Sequence, residues 1–337
     1  MPRMKNPSPE MVELLRRAGS VDPETSRASY WTLAKALETP LQKGVLNGDI
    51  LADIYEPIYY PPGTHIEYPI DLLTPGQEKH HIAYTMPAFG RIPERHVGGD
   101  YIAIPTYEVT SSIDFNAKYA RDGNWNILNR ALQVLEAGFI RKKNIDGWRT
   151  ILMATYNRGL SVFDSHVSAG LFSRRLVSLG KLLMRRRAGG NSTSVNRGRM
   201  TDLYLSPEGM EDMRSWDLSQ IDDITRREIF LASVGNGEYG LNRIYRTNLH
   251  DLDELGEGQD FQKYWTDVLG QAIGGSKLEL AIGLDLAHED SFVMPWRVMP
   301  EIFEDPTYHR SRRVSFYGWA EWGFSVLDNR RVLALYF

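Results

Sequence analysis

Cysteine is absent from all 337 residues. That absence excludes disulfide staples, thiolate metal sites and a thiol nucleophile together, and makes the fold indifferent to redox compartment. Long apolar runs are missing as well: nothing approaches the roughly 20 residues that span a bilayer. The opening "MPRMKNPSPEMVELLRRAG" has no continuous apolar stretch of the signal-peptide kind. The expectation is a soluble, cytosol-made protein with no membrane partner. An excess of basic charge is also lacking, since the formal net charge is -4 and the pI near 6.1. Any nucleic-acid contact must therefore be local. Finally, the sequence has no GxSxG elbow, no GxxxxGK[ST] or GxGxxG phosphate loop and no HExxH pair. Internal repeats and low-complexity tracts are absent too.

What is present is a chain 42% hydrophobic and 24% charged, ordinary for a globular protein and long enough for two or three packed substructures. Pro9 to Ala18 reads as a short amphipathic helix stopped by Gly19, and a second helix is predicted from about Asp22 to Pro40. Proline-flanked helices suit an extended arm; a helical hairpin is the alternative. From Tyr55 to Val109, prolines at 57, 61, 62, 69, 75, 87, 93 and 105 exclude a long helix. Alternating segments such as "IEYPIDLL" and "DYIAIPTYEV" predict a long β-tongue.

The strongest helical signal follows, with Trp125, Leu128, Leu132, Leu135 and Phe139 at helical spacing. Trp148, Ile151, Leu152 and Tyr156 continue it beyond Asp146-Gly147, as one kinked helix or two. Residues 160–187 also read as helical. "MTDLYLS" predicts a central strand, and Ser206 with Pro207 a capped helix. "DDITRREIFLASV" predicts a further helix; "KLELAIGLDL" and the closing "RRVLALYF" follow with strand-like apolarity. Strand and helix alternate without a regular βαβ period, so the fold class is α+β.

Candidate chemistry is sparse. His80 and His81 are adjacent, so in a strand they face opposite ways and do not share an ion; His65 and His96 complete the histidines of the tongue. Asp285, His288, Glu289 and Asp290 form a carboxylate and imidazole group without a metal-ligand spacing, the only foothold for a soluble enzyme. "AGGNSTSVNRGR" lacks the order of a phosphate loop and reads as a surface loop. A basic cluster stands out in a net acidic chain: Arg174, Arg175, Lys181, Arg185, Arg186, Arg187, Arg197 and Arg199. It suits a polyanion, a subunit boundary or a solvated helix face.

The order of parts, from helical arm through β-tongue, long helix and α+β region to terminal strand, resembles the major capsid proteins of tailed double-stranded DNA bacteriophages, the Hong Kong 97 type fold. Its most specific stretches are "DYIAIPTYEVTSSIDFNAKYARDGNWNILNRAL" and "FYGWAEWGFSVLDNRRVLALYF". The resemblance implies an N-arm over 1–54, an E-loop with flanking strand over 55–109 and a P-domain with its spine helix over 110–185. It further implies an A-domain over 186–300 and closing P-domain strands over 301–337, with "GWAEWGFSVLDN" as a hairpin before the last strand. Tyr68, Ile70, Lys79, Tyr84 and Phe89 would make E-loop contacts between subunits. A Lys79 to Asn329 isopeptide bond, as some members form, is a further possibility of the type.

By the same resemblance the chain assembles with itself into hexamers and pentamers of an icosahedral shell around double-stranded DNA, without catalytic residues, cofactor or metal. Portal and cement or decoration proteins are implied partners. Only 54 residues precede the tongue, fewer than the long N-terminal scaffolding segment of many members, so a separate scaffolding protein, or none, is expected. The location implied is the virion, assembled in the host cytoplasm. An encapsulin-like compartment shell is the alternative within the same fold.

Overall fold

The computed structural model describes residues 9–20, 22–47, 50–70, 100–187, 198–216, 243–273, 278–287, 291–305 and 312–337. The chain forms two compact units, one of Met1–Glu67, Ala103–Gly147 and Phe292–Ser325, the other of Tyr68–Ile102, Trp148–Ser291 and Val326–Phe337.

Helices α1 (Pro9–Ala18) and α2 (Pro23–Asn47) belong to the first unit. They form the helical hairpin rather than an extended arm: Ser26 Oγ donates to the Ala18 carbonyl at 2.8 Å. The strands β1 (Glu56–Tyr59), β4 (Tyr107–Asn116), β10 (Phe292–Glu304), β11 (Arg313–Trp322) and β12 (Ser325–Val326) make a sheet in the order β1-β10-β11-β4, with β12 paired to β10. α2 lies on this sheet, Gln42 Nε2 donating to the Pro300 carbonyl at 3.2 Å and Tyr30 meeting Phe316 edge-on at 5.9 Å between centroids.

That packing explains why α2 outruns its predicted end. Pro40 removes one backbone donor, yet Leu37, Leu41 and Val45 on either side of it are buried. Burial of about 1.5–3 kcal/mol per large apolar side chain outweighs the lost bond.

After the short helix α3 (Ala117–Arg121), capped by Asn116, comes α4 (Trp125–Arg158), 34 residues and about 51 Å long. It runs as one helix, not two, through the Asp146-Gly147 pair. Gly147 is needed there: a Cβ would stand 2.3 Å from Leu51 Cδ1, and its carbonyl accepts from the buried Tyr55 hydroxyl at 2.9 Å. Trp125, Leu128, Leu135 and Phe139 are all buried, as their spacing predicts, and Leu132 is half-buried.

The second unit is built on a mixed sheet in the order β5-β13-β9-β6-β8-β7. Its strands are β5 (Ser161–Phe163), β6 (Asp202–Leu205), β7 (Arg243–Ile244), β8 (Thr247–Asp251), β9 (Leu280–Leu284) and β13 (Val332–Tyr336). β6, β9 and β13 are buried along their whole length. Their near-continuous apolar sequences are those of strands covered on both faces. α5 (Arg174–Arg186) and α6 (Pro207–Ser215) pack against this sheet through Leu176, Val177, Met184, Met210 and Met213. Ser206 caps α6 by accepting from Gly209 N–H at 3.1 Å, with Pro207 at the first helical position, both as predicted.

Two predictions fail in this unit. Residues 160–187 are not one helix: β5 and a loop precede α5, because Ser161–Phe163 is drawn into parallel pairing with Ala334–Tyr336. Nor is "GWAEWGFSVLDN" a hairpin before the closing strand, since β11 and β12 each pair with β10 and not with one another. Gly318–Trp322 belongs to β11, paired with β4 and β10, whereas β13 lies between β5 and β9 in the other sheet.

Of the tongue, β2 (Glu67–Ile70) and β3 (Asp100–Ala103) form a two-stranded ribbon with Tyr101 and Ile102 exposed. Residues 71–99 between them lie outside the described residues, as does the helix predicted from "DDITRREIFLASV".

Candidate functional site

The basic cluster is organised by α5. Ser173 Oγ accepts from Leu176 N–H at 3.1 Å and donates to the buried Asp164 carboxylate at 2.9 Å, which fixes the helix start. Apolar residues at helical spacing bury one face, so Arg174, Arg175, Arg185 and Arg186 are left exposed on the other, with Arg187 just beyond. The helix carries no acidic residue. Burial pushes the Asp164 carboxyl up, but the His166 backbone N–H, the Ser173 hydroxyl and Arg175 outweigh it and hold it below its ordinary value.

Lys181 differs from its neighbours. It is half-buried, and its Nζ donates to the Tyr245 carbonyl and, at 3.1 Å, to Thr247 Oγ1. Burial, and then the nearby Arg246 guanidinium, lower its pKa. This lysine thereby ties α5 to the two-residue turn between β7 and β8, where Tyr245 (φ 49°) and Arg246 (φ 66°) both adopt left-handed conformations without glycine. Exposed Arg243, Tyr245 and Arg246 extend the basic surface beyond the residues found by sequence. Arg199 is exposed too; Arg197 lies outside the described residues.

Asp285 is fully buried and already committed. It accepts from Arg331 Nη1 at 2.6 Å and Arg199 N–H at 2.9 Å through Oδ2, and from Ala287 N–H at 3.2 Å through Oδ1. Its geometry is that of a structural anion holding two strand ends. His288, Glu289 and Asp290 lie outside the described residues, and among the described residues no group of three His, Cys, Asp or Glu is placed to hold a metal.

A second polar group sits at the parallel β6 and β8 strands. Asp202 Oδ1 accepts from Asn248 Nδ2 at 2.9 Å and lies 2.9 Å from His250 Nε2, while the His250 ring stacks on Tyr204 at 4.6 Å. Burial raises the Asp202 pKa, and hydrogen bonds from His250, Thr201 and Asn248 bring it below the ordinary value. Because the folded value is depressed, this contribution to stability is complete above the unfolded value near 3.9 and disappears as pH falls through the folded one. Asp202→Asn is expected to lower stability by about 1–3 kcal/mol at pH 7. It should also flatten the acid limb of a Tm-versus-pH curve below about pH 4; an unchanged acid limb would refute the assignment.

No family model matches the chain, and no curated protein matches it. Solved structures do. The chain is similar to the head structure of Helicobacter pylori bacteriophage KHP40, with TM-score 0.52, 10% identity and coverage of 83% of this chain and 86% of that one. It is equally similar to the cyanophage Pam1 capsid asymmetric unit, with TM-score 0.52, 12% identity and coverage of 83% and 87%. The capsid of an empty GTA particle gives TM-score 0.51, 12% identity and coverage of 85% and 89%. The chain has the Hong Kong 97 type capsid fold.

In this capsid fold the E-loop positions named from sequence are only partly in view. Tyr68 is half-buried in β2, which Ile70 ends, whereas Lys79, Tyr84 and Phe89 lie outside the described residues, with His80, His81 and His96. His65 is exposed, and Asn329 opens the 3-10 turn before β13. Arg158, Arg330 and Arg331 were missed by sequence. The one available signal was a paired arginine directly before an unbroken apolar strand, a place where a cation must find a buried partner.

Proposed function

We propose that the chain is a major capsid protein that assembles with itself into hexamers and pentamers of an icosahedral shell enclosing double-stranded DNA. The observation that carries this reading is the capsid fold itself, matched over more than four fifths of the chain by structures that come from phage heads. Two local features support it. The β2–β3 ribbon exposes Tyr101 (66%) and Ile102 (39%), and a two-stranded ribbon has too little core to stabilise itself, so a neighbouring copy is the natural cover. The exposed face of α5, free of acidic residues, suits either the packaged phosphates or an acidic subunit boundary.

In this reading 55–109 is the E-loop with its flanking strand, 110–185 the P-domain with α4 as spine, 186–300 the A-domain and 301–337 the closing strands. Of the first 54 residues, α1 and α2 serve their own sheet, so interlocking falls to the tongue and to the A-domain loops. A separate scaffolding protein, a portal and cement proteins complete the particle, located in the virion after assembly in the host cytoplasm.

Expression followed by sedimentation and negative-stain microscopy tests this. Closed shells carrying nuclease-protected DNA in infected cells are the expected result; shells filled with protein cargo would favour the encapsulin-like alternative. A strictly monomeric species, with and without scaffold, would overturn the proposal. Tyr101→Asp with Ile102→Asp is expected to abolish shells while leaving the circular dichroism of the subunit unchanged.

A further inference from the structure

The arginines that sequence overlooked meet at one place in the second unit. Arg158 closes α4, and its Nη1 donates to the Val332 carbonyl. Arg330 grips Asp328 through Nε at 2.6 Å and Nη2 at 3.0 Å. Arg331 reaches Asp285 through Nη1 at 2.6 Å, and its Nε stands 3.5 Å from Asp328 Oδ2. Arg187, just past α5, is near enough to add to the positive potential at Arg158. Among the described residues the place therefore gathers four guanidinium groups against the two carboxylates of Asp285 and Asp328.

The hydrogen bonding is incomplete in the same sense as the charge. Among the described residues, Arg158 Nη2 is shielded from water without a hydrogen-bond partner, and Arg331 Nε, in a residue more than nine-tenths buried, has only the long 3.5 Å ion pair to Asp328. Buried guanidinium N–H groups are normally satisfied, because desolvating a cation without an acceptor is strongly unfavourable. Burial lowers the Arg158 pKa to about 10, opposed by Asp328 and reinforced by Arg330, Arg187 and Arg331. Among the described residues, an unfilled Arg158 donor and a weakly paired Arg331 donor beside an excess of two positive charges suit an acceptor that carries about two negative charges and several oxygens.

We infer that Arg158, Arg187, Arg330 and Arg331 form a binding site for a phosphate group, held between the end of α4 and the turn that leads into β13. Planar guanidinium forks match tetrahedral oxyanions in a bidentate manner. Occupancy would tie the end of the long helix to the entry of the buried closing strand, so the ligand acts as a clamp on this unit. The site does not depend on shell formation and is testable on the unassembled chain.

The experiment is thermal unfolding of the full chain titrated with sodium phosphate, with sodium chloride and sodium acetate at matched ionic strength as controls. A saturable rise in Tm specific to phosphate is expected. Arg187→Gln, at an exposed position that leaves packing intact, should weaken half-saturation about tenfold, the equivalent of one charge-assisted hydrogen bond. Arg158→Gln should remove the response. A short DNA duplex at equal phosphate concentration is the second arm. An Arg187-dependent rise with orthophosphate assigns the site to a free anion, and one with the duplex alone assigns the same chemistry to a nucleic-acid backbone. A rise with neither, an equal rise with acetate, or a phosphate response unchanged in Arg187→Gln would overturn the inference.

Discussion

Deletion of Val332–Phe337 is expected to leave no folded second unit. All six residues are buried, and at about 1.5–3 kcal/mol for each large side chain their loss is comparable to the whole stability of a typical domain, about 5–15 kcal/mol. The backbone loss is as serious. β13 pairs with β9 from Val332↔Leu284 to Tyr336↔Leu280 and with β5 on its other side, so its removal leaves β5 without its partner in the sheet and β9 with one open edge. Phe337 extends the effect: its ring meets Phe172 edge-on at 5.2 Å, and its carbonyl oxygen accepts from the backbone N–H groups of Leu278 and Glu279 at 2.9 and 3.0 Å. The single change Leu335→Asp should act in the same direction, placing an unpaired carboxylate in a site with 0% exposure. Both variants should partition into the insoluble fraction, and a soluble truncated protein with a native unfolding transition would contradict the role of β13.

Gly318→Val is the second change with a large expected effect, and it acts on the first unit. A Cβ at Gly318 in β11 would stand 2.6 Å from Phe139 Cε2 and 2.9 Å from Phe139 Cζ, with Leu135 Cδ2 at 3.5 Å. Phe139 cannot swing away freely, since its ring also meets Trp322 at 6.1 Å and is itself fully buried. Overpacking a core in this way costs about 1–3 kcal/mol, and more where the backbone must shift. A fall in Tm of several degrees follows. The double variant Gly318→Val with Phe139→Leu should recover part of that loss, because the smaller side chain vacates the space the valine needs. Absence of any recovery would show that strain in the strand, not contact with α4, is what the substitution disturbs.

Much of this architecture was legible because single elements carry strong local signals. α1 needed only its proline and glycine punctuation, α6 only Ser206 and Pro207, and the start of α4 only an apolar residue every three or four positions. What failed was decided by partners distant in sequence. Pro40 predicts a helix end, yet the sheet beneath α2 carries the helix past it. Ser161–Phe163 has the composition of the helix that follows, but the edge of β13 captures it as a strand. The same holds for chemistry: the exposed arginines of α5 were visible as a run, whereas Arg158 and Arg331 gain meaning only when residues far apart in the chain converge on Val332 and Asp285.

The position of β13 also sets an order of events during synthesis. The six-stranded sheet begins with β5 at Ser161, and its middle is filled only by a strand that follows every other member in the chain. While residues 164–331 emerge from the ribosome, β5 and β9 each wait with an open edge for the strand that will join them. Pairings of such long sequence separation form late and slowly. Nascent chains thus keep this sheet incomplete until β13 itself has emerged and paired.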